Sequence, residues 1–215
     1  MSYRFKVRLG RLIAVAVATC AIFLAIANWE NLHLNASDLT KSNIPQSNIV
    51  AQDVSAIWEK GSFPVENFQS YTSGFGYRTS PVTGERQFHN GLDMAAPRGS
   101  YIRSWWGGNV SDLSDNTACG TLIAIQSGQW QHVYCHLEGH VEDSGNGKFL
   151  VDRDGGIQIA LGQDIPVGAR IGRIGMSGRT TGPHLHWVLK HNNGYVDPAL
   201  VLKEMFKRQT VSSAS

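Results

Sequence analysis

The stretch GPHLHWVL, residues 182–189, places two histidines at the start of an apolar, β-prone run. In a β-strand the side chains alternate between faces, so residues two positions apart share a face. We therefore expect His184 and His186 to lie side by side on one face of a strand. Two imidazoles in this arrangement suit a metal site, because neutral histidine nitrogens are common metal ligands.

The same pattern continues on both sides of this stretch. From Gly61 onward, short apolar runs alternate with turns marked by Gly, Pro or Asn-Gly, and 23 of the 215 residues are glycine. This spacing predicts a mainly β domain built from antiparallel sheets. We expect the sheets to form a groove over the metal site, with the apolar residues of 171–174 and 188–189 packed beneath it.

A helix signal follows the last predicted strand. Asp197 is a suitable N-cap, and Pro198 fits the first helical position. Residues 199–207 are expected to form a short C-terminal helix, and the Ser-rich tail after it to be frayed.

The N-terminal segment is typical of an exported protein. Four basic residues precede an uncharged apolar run, residues 12–29. This predicts either a signal peptide or a membrane anchor over residues 1–29, since the run could just span a bilayer and Ala25-Ile26-Ala27 suits a cleavage site. The rest of the chain is expected on the periplasmic or cell-envelope side, secreted or anchored to the inner membrane through residues 12–29. Residues 30–60, rich in Asn, Ser and Gln, are interpreted as a stalk or linker.

The charge distribution argues against a nucleic-acid partner. The formal net charge is +2, but four of the cations precede the apolar run. The remainder has 15 basic residues against 17 acidic ones, so it offers no basic face of the kind that nucleic acid requires.

Residues 121–137 contain two β-prone runs separated by Gln-Ser-Gly, which predicts a hairpin with a three-residue loop. Pairing Ile125 with Gln129 across that loop places Cys119 opposite Cys135. Directly opposite residues lie within disulfide reach, so we expect these two cysteines to be bonded in an exported protein. Two buried thiols are the alternative.

A second cluster, HNGLD at residues 89–93, also carries potential ligands. In an extended strand, residues four positions apart lie about 13 Å from one another, too far to share an ion. A turn at Asn90-Gly91 would bring His89 and Asp93 together. Three protein ligands with one open position are typical of catalytic zinc, whereas four indicate a structural site.

In this order, these clusters and His136 of the sequence YCHL make the chain resemble the lysostaphin-type (LytM-type) zinc endopeptidases of peptidoglycan. The resemblance includes GFGYR at 74–78, the stretch 168–187 and VDP at 196–198. It covers about residues 63–202 and implies a zinc metallopeptidase domain over residues 61–203, followed by a tail, 204–215.

The resemblance implies that one zinc ion is bound by His89, Asp93 and His186. It implies that His136 and His184 are catalytic residues beside the open coordination position. Spacing alone does not decide whether His184 or His186 is the ligand, and the division of work between the two catalytic histidines stays open.

These roles imply an endopeptidase that hydrolyses peptide cross-links or stem peptides of bacterial peptidoglycan, with a metal-activated water and two assisting histidines. Cross-links through diamino acids and bridges of glycine are both compatible with the sequence. The alternatives are a catalytically silent module that binds cell wall or activates another hydrolase, and a peptidase for secreted proteins or Gly-rich peptides.

Three features depart from the family pattern or have another explanation. Residues 142–156 are expected to be an insertion, and a solvated hairpin is favoured over a wall of the groove. The segment Asp152-Arg153-Asp154-Gly155 lacks the full ligand set of a calcium loop. Trp105 and Trp106 could contact sugar rings, but packing in the core is expected for at least one.

Overall fold

The computed structural model of the chain describes residues 60–80 and 82–213. These residues belong to the second of two units of the chain, Gln52–Ser215. The predicted signal or anchor (1–29) and the predicted stalk up to residue 59 lie outside the described residues. Within the described part, no helix is both long and apolar enough to cross a membrane.

The described residues form fifteen strands and one helix. In chain order the strands are β1 (Ser70–Ser73), β2 (Gly76–Thr79), β3 (Arg86–His89), β4 (Leu92–Ala95), β5 (Tyr101–Arg103), β6 (Gly108–Ser114), β7 (Leu122–Ser127), β8 (Trp130–Cys135), β9 (His140–Ser144), β10 (Gly147–Asp152), β11 (Ile157–Ala160), β12 (Asp164–Ile165), β13 (Arg170–Arg173), β14 (His184–His191) and β15 (Gly194–Val196), and the helix is α1 (Pro198–Ser212).

Every strand pair in the described part is antiparallel, as predicted for a mainly β domain. The main sheet has eight strands in the order β1-β4-β14-β8-β7-β6-β12, with β15 beside β14. Smaller sheets are formed by β9 to β11, by β5 with β13, and by β2 with β3. The β2–β3 hairpin is therefore separate from the main sheet, although β3 leads directly into β4.

Strand β14 shows the predicted alternation. Leu185, Trp187 and Leu189 are fully buried on one face, and His184 and His186 lie on the other. Residues 171 and 174, predicted to pack beneath the site, are also fully buried isoleucines of the same hydrophobic core.

The hairpin β7–β8 forms, but the predicted register is wrong by three residues. Ile125 pairs with His132, and Ser127 pairs with Trp130, which leaves a two-residue loop. Gly128 has a positive φ of 60° at the first loop position, and Gln129 does not. A turn with glycine first follows the twist of the flanking strands, which explains why two residues suffice.

The predicted disulfide between Cys119 and Cys135 is present, with the two Cα atoms 4.9 Å apart. The corrected register shows that its geometry differs from the expected one, because Cys119 lies in a turn before β7 and not on the strand. Gly120, with a φ of 63°, closes that turn, and the carbonyl of Cys119 accepts a hydrogen bond from His136 N–H at 2.8 Å. The bond therefore joins a turn to the end of β8.

The predicted insertion contains a hairpin, β9–β10, but it is not simply solvated. Leu150 is fully buried and belongs to the core, together with Ile157 and Ile159 of β11. Asp152, which begins the incomplete calcium pattern, instead accepts two hydrogen bonds from Arg173 of β13, at 2.7 and 2.6 Å. The insertion is thus an integral layer of the domain.

Helix α1 begins as predicted, with the Asp197 carboxylate accepting from Ala199 N–H at 2.9 Å. It continues to Ser212, so it extends past the expected end at Lys207, and the predicted boundary after residue 203 falls inside it. Tertiary contacts explain the difference. Met205 is fully buried, and the Gln209 side chain donates to the carbonyl of Gly61 at 2.9 Å.

Replacing Met205 by Ala should lower the free energy of unfolding by about 2–5 kcal/mol, because it leaves a cavity between the helix and the sheet. Urea denaturation followed by circular dichroism measures the change. Leu200→Ala, at a position that is 63% exposed on the same helix, is the matched control and should change stability by less than about 0.5 kcal/mol. Equal effects of the two substitutions would contradict the docking of α1.

A chain of hydrogen bonds crosses the core beside β7 and β8. The backbone N–H of Trp105 donates to Tyr134 Oη at 2.8 Å, and Tyr134 Oη lies 2.7 Å from His132 Nδ1. On the other side, His132 Nε2 lies 2.9 Å from Ser127 Oγ, whose hydroxyl donates to Gly107 O. All of these groups are satisfied when His132 is neutral and carries its proton on Nε2. Burial lowers the pKa of His132 to about 3.

This pKa predicts a pH dependence of stability. The pKa of His132 in the folded state is below the unfolded value of about 6.5. The stability that depends on neutral His132 is therefore fully present above pH 6.5 and is lost as the pH falls towards 3. Between pH 6.5 and 4, the free energy of unfolding of the wild type should fall by up to about 3 kcal/mol more than that of His132→Gln, whose side chain cannot titrate. Urea titrations at each pH test this. The exposed His140→Gln should keep the wild-type slope, and parallel curves for wild type and His132→Gln would contradict the assignment.

Candidate metal centre

The pairing of β4 with β14 forms the floor of the site. Asp93 lies directly opposite His186, and Leu92 opposite Trp187. Directly paired residues on one face have Cβ atoms about 4.5–5.5 Å apart, close enough for their side chains to meet. His184 lies opposite Ala95 in the same register. Of the two histidines on this face, His186 is therefore the one that faces the carboxylate.

His89 reaches the same point from another sheet. It is the last residue of β3, paired with Gly76 of β2, and the chain bends at Asn90-Gly91 before β4 begins. A Cβ on Gly91 would lie 2.5 Å from Trp187 O and 2.8 Å from the His186 ring. A turn was predicted at Asn90-Gly91; the chain instead makes a bend at Gly91, which still brings His89 and Asp93 together. Glycine is required here for the close approach of β14.

Three electron-rich atoms converge where these segments meet. His89 Nε2 lies 3.0 Å from Asp93 Oδ1 and 3.0 Å from His186 Nδ1, and His186 Nδ1 lies 2.8 Å from Asp93 Oδ1. The structure thus brings together the three residues predicted as ligands, and their donor atoms are placed to hold a metal ion. A tetrahedral ion with bonds of about 2.0–2.2 Å separates its ligand atoms by about 3.3–3.6 Å, so a small outward movement of the three side chains would accommodate it.

The far side of each imidazole shows which nitrogen is available. His89 Nδ1–H donates to the carbonyl of Gly74 at 2.6 Å, and His186 Nε2–H donates to Asn90 Oδ1 at 3.1 Å. Both inward nitrogens therefore carry lone pairs that face a carboxylate oxygen. Such lone pairs repel one another unless a proton or a metal ion lies between them. Outer acceptors of this kind are typical of metal-bound histidines. The residues fit a bound zinc ion.

The protonation states agree with this arrangement. Burial opposes ionisation of Asp93, but interactions with His186 and His89 outweigh it and hold the pKa of the carboxyl well below its usual value. Burial lowers the pKa of His186, although Asp93 partly opposes the shift. A carboxylate and a neutral imidazole are the forms that bind metal. Arg78, at 3.5 Å from Asp93 Oδ2, faces the other carboxylate oxygen.

His136 lies immediately after β8, in the positive-φ region at 63°, which is uncommon for a residue with a side chain. Its backbone N–H donates to Cys119 O at 2.8 Å, and its carbonyl accepts from Gly175 N–H at 2.9 Å. Its ring Nδ1 lies 2.8 Å from Ser177 O. Donation from Nδ1 to this carbonyl leaves Nε2 free, and burial lowers the pKa of His136 to about 4, so the ring is neutral near pH 7.

His184 lies beside His136, with ring centroids 4.9 Å apart. Its Nδ1 lies 2.8 Å from Gly182 O and 3.2 Å from Thr180 Oγ1, and its Nε2 lies 3.6 Å from Asp93 Oδ1. The two histidines predicted as catalytic are therefore adjacent to the three predicted ligands. All five line one cavity of about 310 Å³.

Several contributors to the site were missed by the sequence analysis. Asn90 was interpreted as a turn residue, although its side chain holds His186. Arg78 was quoted in GFGYR without a role. The carbonyls of Gly74 and Ser177 carry no signal in a sequence, because every residue has one.

Residues 87–148 and 153–198, half of the chain, match the sequence profile of peptidase family M23. The chain belongs to peptidase family M23. Its match begins just before His89 and includes all five site residues, while the unmatched gap falls in the insertion, on β10.

Curated relatives and a solved structure agree with this membership. The chain is 29% identical over 153 residues to the DD-carboxypeptidase/endopeptidase Mpg of Neisseria meningitidis serogroup B, covering 70% of this chain and 31% of Mpg. It is 33% identical over 138 residues to the peptidoglycan DD-endopeptidase ShyB of Vibrio cholerae, covering 63% and 28%. A zinc-containing peptidase from Vibrio cholerae superposes with a TM-score of 0.50 at 32% identity, covering 63% of this chain and 37% of that one. The chain thus spans about a third of the length of these relatives.

Metal binding provides a graded test of the centre. Wild type should bind one zinc ion per chain, Asp93→Ala should bind it more than about 100-fold more weakly, and Asn90→Ala, which only releases His186, about 10–100-fold more weakly. Competition with a zinc chelator measures affinity, and circular dichroism checks the fold. The control Asp112→Ala, at an exposed position of β6, should bind as wild type. Unfolding of Asp93→Ala would indicate a structural ion, and unchanged affinity would exclude the site.

Proposed function

We propose that this M23 chain is a zinc-dependent endopeptidase that hydrolyses peptide cross-links or stem peptides of bacterial peptidoglycan. The observation that carries the proposal is the convergence of His89, Asp93 and His186, with His136 and His184 beside them in one cavity. The relatives named as peptidoglycan DD-endopeptidases support the substrate class.

The metal and the histidines would have separate tasks. A zinc ion held by His89, Asp93 and His186 would act as a Lewis acid towards the scissile carbonyl and the attacking water. His136 is neutral near pH 7, and its outer nitrogen is fixed on Ser177 O, so Nε2 is oriented to accept a proton from the attacking water. The same nitrogen can return that proton to the leaving amine.

His184 has a different environment, because oxygens face both of its ring nitrogens. Such surroundings suit a hydrogen-bond donor. We therefore assign His184 to the stabilisation of negative charge that develops on the carbonyl oxygen during attack. The rings of His136 and His184 lie side by side, so both can reach the same substrate bond.

Export is part of the same proposal. It rests on the charge pattern of residues 1–29, on the location of peptidoglycan outside the cytoplasm and on the Cys119–Cys135 bond, which is typical of oxidising compartments.

Hydrolysis of purified peptidoglycan tests the function. The zinc-loaded full chain should release soluble muropeptides, identified by mass spectrometry, and His136→Ala should reduce the rate about 10²–10⁴-fold while still binding zinc. His140→Ala, half-exposed on β9, is the histidine control and should retain the wild-type rate. If the zinc-loaded wild type leaves cross-linked wall intact, the proposed function is wrong, and the result favours a silent binding or activating module or a peptidase for other substrates.

A further inference from the structure

The cavity around the metal centre has an excess of positive charge. Its lining contains two cations, Arg78 and Arg179, and one acidic residue, Asp93. Asp93 is already engaged by three histidines and by Arg78. Zinc at the centre would add two further positive charges. Such a cavity attracts a substrate that carries negative charge.

Arg179 differs from the other arginines of the described residues. Seven of the nine pair with a carboxylate, and Arg86 stacks on the ring of Tyr77. No carboxylate or aromatic ring in the described part partners Arg179. It is nevertheless on the wall of the cavity, next to Thr180 and Thr181. A guanidinium presents a rigid fork of donors that matches a carboxylate, so this group is available to a ligand.

The backbone beneath Arg179 is fixed. Its N–H donates to Ala118 O at 2.9 Å, in the turn that the disulfide of Cys119 joins to β8. The preceding residue, Gly178, has a φ of 71° and packs so closely on Gly120 that no side chain fits between them. The backbone of Arg179 is thus fixed on the cavity wall, which limits the entropy lost when its side chain binds a ligand.

We propose that Arg179 binds a free carboxylate of the substrate next to the scissile bond. The inference rests on the proposed function and narrows its substrate class. A cross-link through a diamino acid whose carboxyl group is free offers such a partner. A glycine bridge, or a diamino acid whose carboxyl is amidated, does not. Arg179 is therefore a specificity-determining residue, and it takes no part in proton transfer.

Two matched substrates test this assignment: a cross-linked muropeptide dimer with a free diamino-acid carboxylate, and the same dimer with that carboxylate amidated. The KM of the wild type for the free-acid dimer should be about 10-fold lower than its KM for the amidated dimer. Arg179→Gln should raise KM for the free-acid dimer about 10-fold, equivalent to about 1.4 kcal/mol, with kcat unchanged within about 2-fold. It should leave the amidated dimer unaffected, and Arg179→Lys should lie between. Lys190 is a cation that stacks on Tyr195, away from the cavity lining. The control variant Lys190→Gln should therefore have the wild-type KM for both dimers.

The outcomes separate the two proposals. Cleavage of both dimers by wild type with no preference, or a preference that persists in Arg179→Gln, overturns the carboxylate assignment and leaves the proposed function intact. Failure of zinc-loaded wild type to cleave either dimer or whole peptidoglycan overturns the function and the assignment together. Arg179→Lys, which keeps the charge and the length of the side chain, guards against misfolding of the Gln variant.

Discussion

The site depends on three electron-rich atoms, His89 Nε2, Asp93 Oδ1 and His186 Nδ1, held within 3.0 Å of one another. Their lone pairs repel one another unless a proton or a metal ion lies between them, so the fold must hold the three side chains together. Two paired strands of the main sheet fix Asp93 and His186, and the adjoining β2–β3 hairpin brings in His89. Antiparallel ladders resist the separation of paired strands, so the sheets hold the three candidate ligands in place for a metal ion.

All four histidines beside the site have an outer nitrogen held by an oxygen. Backbone carbonyls hold His89, His136 and His184, and the side chain of Asn90 holds His186. These acceptors determine which nitrogen faces inward. In the proposed function, this arrangement would present lone pairs of His89 and His186 to the metal and a proton-accepting nitrogen of His136 to the substrate.

Local patterns predicted what depends on neighbouring residues. The two-residue period placed His184 and His186 on one face, and Asp197-Pro198 marked the start of the helix. Non-local pairing was beyond such patterns. The choice of His186 over His184 as the partner of Asp93 follows from the register of β14 against β4, and the sequence alone left it open. The hairpin register of β7 and β8 was predicted wrongly because Gly128 allows a shorter turn. The disulfide pairing was nevertheless predicted correctly. Cys119 lies in a turn and not on the strand, so its position does not depend on the hairpin register.

The floor and the wall of the cavity should differ in how well they tolerate substitution. The floor is paired strand, where one register shift would separate Asp93 from His186. The wall that carries Arg179 is formed by two loops, the turn before β7 and the segment before β14, which pack on each other through Gly120 and Gly178. His136, just after β8, is hydrogen-bonded to both loops through Cys119 O and Gly175 N–H. Loops tolerate side-chain changes that strands do not. In the proposed function, a charged group on this wall would therefore select the substrate, while the backbone beneath it keeps His136 in place.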